Sequence, residues 1–151
     1  MAQRLSDQDW AIRLYIYQTF VERGAPPGTA EAAVHFGLTE QEARDAYRRL
    51  HAGHAIFLEH GTDNVRMANP LSAVPTAYRV HVMGRELYAN CAWDSLGIPA
   101  MLHADARIVA SDPLTGEDLR YAVVKGELCA GGWLVHFPLP FRNWYDDLIH
   151  T

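Results

Sequence analysis

Three helix starts, each answered by a glycine-bearing stop, organise the first third of the chain. Ser6 is placed to cap a helix from Asp7 to about Arg23, with Asp9 near the position where a capping box takes an acid, and "RGAPPG" ends it. Trp10, Leu14, Tyr17 and Val21 supply its predicted apolar stripe, at spacings of four, three and four. Thr29 opens a short second helix through His35, and Gly37 stops it. Thr39 and Glu42 form a capping box for a third helix that runs to about Ala52, where Gly53 breaks it. "AIFLE", "HGTDN" and "VRMA" then read as strand, turn and returning strand. That succession is the order of a winged helix-turn-helix. It predicts an α+β protein whose residues 1–68 form a winged-helix-like domain.

The charges resist the function that such a domain suggests. A recognition helix meets base edges with its N-terminal residues, and here these are Thr39, Glu40, Gln41 and Glu42. Carboxylates at that end repel phosphates. Arg44, Arg48 and Arg49 lie further along, in the mixed pattern of a solvated face. The formal net charge of −5 also lacks the basic surplus of a nucleic-acid binder. No apolar run approaches the roughly 18 residues that a membrane span needs. The opening "MAQRLSDQDW" has no cationic-then-apolar signal pattern. A cytoplasmic protein is expected, and its two cysteines are expected to be reduced.

Residues 69–80, "NPLSAVPTAYRV", form a proline-punctuated connector, which leaves 81–151 as a second, small α+β domain. "YRVHVMG" reads as a strand and "RELYANCAWDSLGIPAMLHA" as a helix disturbed by Gly97 and Pro99. "DARIVASD" and "LRYAVVKGEL" read as strands joined by the turn "PLTGE". "GGWLVHFPLP" reads as a third strand, closed by Pro138 and Pro140.

Chemistry concentrates at Cys91 and Asp94. Residues three apart share a helix face, so thiol and carboxylate converge on one ligand. Cys91 falls in the first turns of its predicted helix, where backbone N–H groups and the helix dipole favour a thiolate. The neighbouring carboxylate opposes that but can hold a proton. A soft nucleophile beside a proton carrier suits a thiophilic metal or nucleophilic attack with proton delivery. The competing reading is packing, because free cysteines commonly act as small buried hydrophobes.

"VRMANPLSAVPTAYRV" followed by "YANCAWDSLGIPAML" resembles the alkylmercury lyase (organomercurial lyase) family. "WLVHFPLPFRNWYDD" is similar to the family's later His-Phe strand and the acidic-aromatic segment after it. The resemblance runs from about residue 8 to the end. It implies a winged-helix-like N-terminal domain not known for binding DNA, then an alkylmercury-lyase-like catalytic domain. It also implies that Cys91 is the first catalytic cysteine and Asp94 the catalytic aspartate. In the implied reaction a thiolate attacks the mercury of an organomercurial, a second cysteine engages the metal, and a proton passes through the aspartate to the leaving carbon. No dissociable cofactor is implied, and the metal held by Cys91, Asp94 and a second thiol is the substrate's mercury or another thiophilic ion.

The second thiol departs from the family pattern. Alignment on His136 and Phe137 puts Gly132 at its position, and the other cysteine, Cys129, lies three residues earlier. In a strand that shift reverses the side chain's face and moves it roughly 10 Å, although Gly131 and Gly132 allow a bulge. The expectation is therefore an alkylmercury-lyase-like enzyme acting on an organomercurial or another small molecule, with Cys129 as a third site member. The alternative is a non-catalytic thiol-based metal-binding protein or metal-responsive transcriptional regulator. Among other candidates, His51, His54 and His60 match no zinc spacing, and His103 with Asp105 is placed to line the same cleft as Cys91. His136 reads as a core histidine, and Asp146 and Asp147 as solvated. Trp93, Trp133 and Trp144 read as core or pocket wall.

Overall fold

A computed structural model describes residues 4–112, 114–137, 139–140 and 143–144. The helices are α1 (Asp7–Arg23), α2 (Thr29–Phe36) and α3 (Glu40–Ala52). Both expected capping boxes form: the Ser6 and Thr39 hydroxyls accept from the backbone N–H of Asp9 and Glu42, whose carboxylates reach back to the cap backbone. Gly37 ends α2 in the left-handed region at φ 64°, which a side chain would resist.

The apolar stripe of α1 differs from the expectation. Ile12, Ile16, Thr19 and Phe20 are its buried face, whereas Trp10 and Leu14 are exposed and Tyr17 and Val21 half-buried. Both sets obey helical spacing, so periodicity alone does not choose between them. Trp10 and Tyr17 hold another partner: the Arg13 guanidinium carbon lies 5.7 Å and 4.3 Å from their ring centroids. The aliphatic side is left to enter the core.

Asp9 does more than cap. It is 1% exposed and accepts Arg49 Nη2 at 2.8 Å, tying α1 to α3. Burial pushes its carboxyl up, but the bonds from Arg49 and Ser6 outweigh that and hold it below the usual range. Asp9→Asn is expected to cost about 3 kcal/mol at neutral pH, because it leaves Arg49 with an uncompensated charge. Since the native pKa is depressed, that stability is present above the unfolded value near ~3.9 and fades as pH falls through the native one. Urea unfolding of both proteins at pH 7 and pH 3 checks this: the gap should shrink in acid. The other α3 arginines are also engaged, Arg44 by Glu40 and Arg48 by Asp63 and Asp45.

One antiparallel sheet runs through the chain in the order β1-β2-β3-β5-β4-β6-β7-β8. Strands β1 (Phe57–Leu58) and β2 (Val65–Ala68) are the expected hairpin. β3 (Leu71–Ser72) arises inside the connector and joins that hairpin to β5 (Arg85–Ala89), beside β4 (Arg79–Val82). β6 (Ala106–Ser111), β7 (Asp118–Val124) and β8 (Glu127–Cys129) complete it. A single cluster of buried side chains, including Ile16, Phe20, Tyr47, Leu71, Val80, Leu87, Ile98 and Ile108, fills the space between helices and sheet. No helix among the described residues is long and apolar enough to cross a membrane.

Two readings of the second half are corrected. The segment expected to be one helix from Arg85 is strand β5 followed by helix α4 (Ala92–Leu102). Met83 and Gly84, at φ 51° and 74°, form a tight turn that folds β5 back on β4, pairing Val82 with Arg85 and burying Leu87 and Ala89. α4 continues through Gly97 and Pro99. "GGWLVHFPLP" forms no strand among its described residues. Lys125 and Gly126, at φ 52° and 79°, instead turn the chain into β8, which ends at Cys129. His136 is accordingly exposed and outside any strand rather than in a core. Pro138, Asp146 and Asp147 lie outside the described residues.

Candidate active site

Cys91 is the N-cap of α4 rather than a member of its first turn. Its backbone is extended, at φ −151° and ψ 179°, and its Sγ accepts the Asp94 backbone N–H at 3.4 Å. A thiol thus occupies the place usually taken by a serine or aspartate oxygen. Asp94 sits at the third position of the helix, so the cap geometry itself brings its carboxylate to the thiol. The Asn90 amide donates to Asp94 Oδ2 at 3.0 Å.

Both groups titrate above their ordinary ranges. Burial pushes the Cys91 thiol up and the charge of Asp94 adds to it, overriding the backbone N–H groups of Asp94 and Trp93. The helix N-terminus lowers the thiol and the carboxylate raises it, as expected from the sequence, and burial, the largest effect, decides the balance. Burial also pushes Asp94 up, against the bonds from Asn90 and Cys91. Burial and the neighbouring carboxylate both favour the protonated thiol, which stands beside a carboxylate able to take its proton. Asp94→Asn removes the repelling charge, so the midpoint of Cys91 alkylation by iodoacetamide is expected to move to lower pH. An unmoved or higher midpoint would show that the carboxylate does not act on the thiol.

Aromatic side chains surround the pair. Tyr78 and Tyr121 are raised chiefly by burial, and the charge of Cys91 reaches both. Tyr121 shares a 2.7 Å hydrogen bond with Ser95 Oγ, which is fully buried in α4. Trp133 tilts against Tyr121 at 6.3 Å and Phe137 meets Trp93 edge-on at 6.1 Å. Trp144 stacks on Phe137 at 5.4 Å. Residues after β8 thereby come over the start of α4. Trp93 is 57% exposed, a wall residue rather than core. Asn90, Ser95, Tyr78 and Tyr121 escaped the sequence reading. Asn90 had a legible signal, four residues before Asp94 and next to Cys91.

Cys129 is placed elsewhere. The sheet register runs His81–Arg107–Ala122–Cys129 in one row and Val80–Ile108–Tyr121 in the next. Paired residues share a face and neighbours along a strand alternate. Tyr121 reaches α4, so Cys129 projects from the opposite face. There it lines an open cleft of about 430 Å³ with His81, Arg107 and Arg120. Gly132 precedes Trp133, and a Cβ built on it meets nothing within 4 Å.

The remaining candidates do not join the site. His103 caps the other end of α4, about 18 Å from Cys91 by helical rise, and Asp105 accepts the Lys125 backbone N–H at 2.7 Å. The expectation that they line the same cleft is not met. His51 accepts the Leu58 backbone N–H at 3.3 Å, and His54 stacks near Phe57. No group of three or more His, Cys, Asp or Glu among the described residues is arranged to hold a metal.

The alkylmercury lyase (MerB) family model matches residues 71–148, about half of the chain and inclusive of α4. The crystal structure of the mercury-bound form of MerB2 is similar in fold, with a TM-score of 0.66 at 24% identity. The similarity covers 83% of this chain and 60% of that one, so this chain spans less than two thirds of its length. No curated protein matches the chain.

Proposed function

The chain belongs to the alkylmercury lyase family, and from that membership we propose that it cleaves carbon–mercury bonds with Cys91 as nucleophile and Asp94 as proton carrier. The observation that carries this reading is the pairing of a half-buried thiol with a half-buried carboxylate at one helix start, three residues apart across the cap. An organomercurial binds through mercury. Asp94 takes the thiol proton as sulfur bonds to the metal. The proton then passes to the carbon as the carbon–mercury bond breaks. One thiol proton is consumed and one hydrocarbon is released, leaving mercury on Cys91 with its original counter-ligand. Two small thiols then take the metal as a dithiolate; one of their protons returns to Cys91 and the other leaves with the displaced counter-ligand.

Small thiols carry the role of a second protein thiol in this scheme, because Cys129 projects from the other face of the sheet. The cytoplasm, rich in such thiols, is the compartment that suits this chemistry. Tyr78, Tyr121 and Trp93 offer an apolar wall to the organic group. The three helices and the β1–β2 hairpin are read as a winged-helix-like unit that flanks the site. A regulator would need a basic α3, and Glu40 and Glu42 at its start with ion-paired arginines behind them favour the enzyme.

Peptide mapping after brief exposure to a phenylmercuric salt tests where mercury enters. Phenylmercury or mercury on Cys91, with Cys129 labelled only as fast as any exposed thiol, is expected. Exclusive labelling of Cys129 would overturn the assignment.

A further inference from the structure

The Cys91–Asp94 pair is not free-standing, and a continuous set of hydrogen bonds leads from it to α1. The Asn90 amide nitrogen lies 3.0 Å from Asp94 Oδ2 and 3.0 Å from Asn69 Oδ1, with the Leu71 carbonyl a longer acceptor at 3.4 Å. The Asn69 backbone carbonyl accepts from the Tyr17 hydroxyl at 2.8 Å. That hydroxyl accepts from Arg13 Nη2 at 2.9 Å, and Arg13 Nε is fixed on the Ala55 carbonyl at 3.0 Å. The turn carrying Asn69 is itself pressed on α4, since a Cβ at Gly97 would stand 3.0 Å from Pro70 Cβ. Burial chiefly raises the Tyr17 phenol, and the charge of Asp94 reaches it as well.

We propose that Asn90 is a positioning residue for the reaction, its amide oriented by Asn69 and, through Tyr17 and Arg13, by α1, so that one carboxylate oxygen of Asp94 is held while the carboxylate faces the Cys91 thiol. The proposal deepens the lyase reading and gives the N-terminal helices a part in the site. An aspartate pinned at one oxygen keeps a single orientation between taking the thiol proton and delivering it. Without the amide the carboxylate swings to solvent or protonates, and either outcome removes negative charge from beside Cys91.

Two readouts separate this proposal from the lyase reading. The first needs no turnover: iodoacetamide alkylation of Cys91 in the full chain, followed by peptide mass so that Cys129 is counted apart. Asn90→Leu is expected to speed alkylation roughly threefold or more, and Asn69→Ala to act in the same direction. The double variant should be no faster than Asn90→Leu alone, because both break one chain. In an Asp94→Asn background Asn90→Leu should have no effect. The second readout is hydrocarbon release from a phenylmercuric salt, where Asn90→Leu should lower kcat about tenfold or more with KM little changed. Asn69→Ala, at an exposed turn, carries the same test if Asn90→Leu does not fold.

Alkylation rates equal to native in both variants, or an equal Asn90→Leu effect with and without Asp94, would overturn the positioning role. If the native protein releases no hydrocarbon but the alkylation pattern holds, the lyase reading fails while the positioning of Asp94 stands.

Discussion

Cys91→Ala is expected to abolish hydrocarbon release from a phenylmercuric salt, and Asp94→Ala to reduce it by about 10² to 10⁴-fold. The asymmetry follows from the roles. Without Cys91 no cysteine thiol remains on the α4 side of the sheet, because Cys129, the other cysteine of the chain, projects from the other face. Without Asp94 the thiol still binds mercury but its proton has no carrier to the leaving carbon. Neither substitution should unfold the protein. Cys91 contributes one weak cap bond of 3.4 Å, and Asp94 is half-buried at a helix start. Single-turnover assays with melting curves alongside check this. Equal residual rates in the two variants would contradict the separate roles.

Gly132→Cys is expected to raise turnover at low external thiol by about tenfold or more. Mercury(II) binds two thiolates far better than one, and a tethered second thiol acts at an effective concentration in the millimolar range. A side chain fits there, since no atom lies within 4 Å of the added Cβ and the backbone is not in the left-handed region. The next residue, Trp133, already packs toward Tyr121 beside the site. The variant should also lose much of the native protein's dependence on added thiol. Gly131→Cys is the control. Its Cβ would stand 3.1 Å from the Trp133 ring and displace the aromatic cover. A gain from Gly131→Cys without one from Gly132→Cys would refute the placement.

Local chemistry was legible in the sequence where it is written in short-range signals. Ser6, Thr39 and the stop glycines marked α1 to α3 because a cap is decided by residues three or four apart. The Cys91–Asp94 pair was legible for the same reason, and its environment was not. Burial, which depends on the sheet packed against α4, outweighs the effect of the helix N-terminus on the thiol. The α1 stripe misled because two helical faces carry apolar residues, and only the packing of α3 and the sheet selects Ile12, Ile16 and Phe20. β5 was hidden inside a predicted helix because its turn, Met83–Gly84, carries only one glycine as a signal. The face on which Cys129 lies follows from register across β6, β7 and β8, which no single segment encodes.

The most direct measurement is gas-phase detection of benzene from the native chain incubated with a phenylmercuric salt and excess small thiol. Steady release of one benzene per mercury delivered to thiol, absent in Cys91→Ala, is the predicted result. No benzene, under conditions where an authentic alkylmercury lyase produces it, would contradict the claim that Cys91 and Asp94 break the carbon–mercury bond.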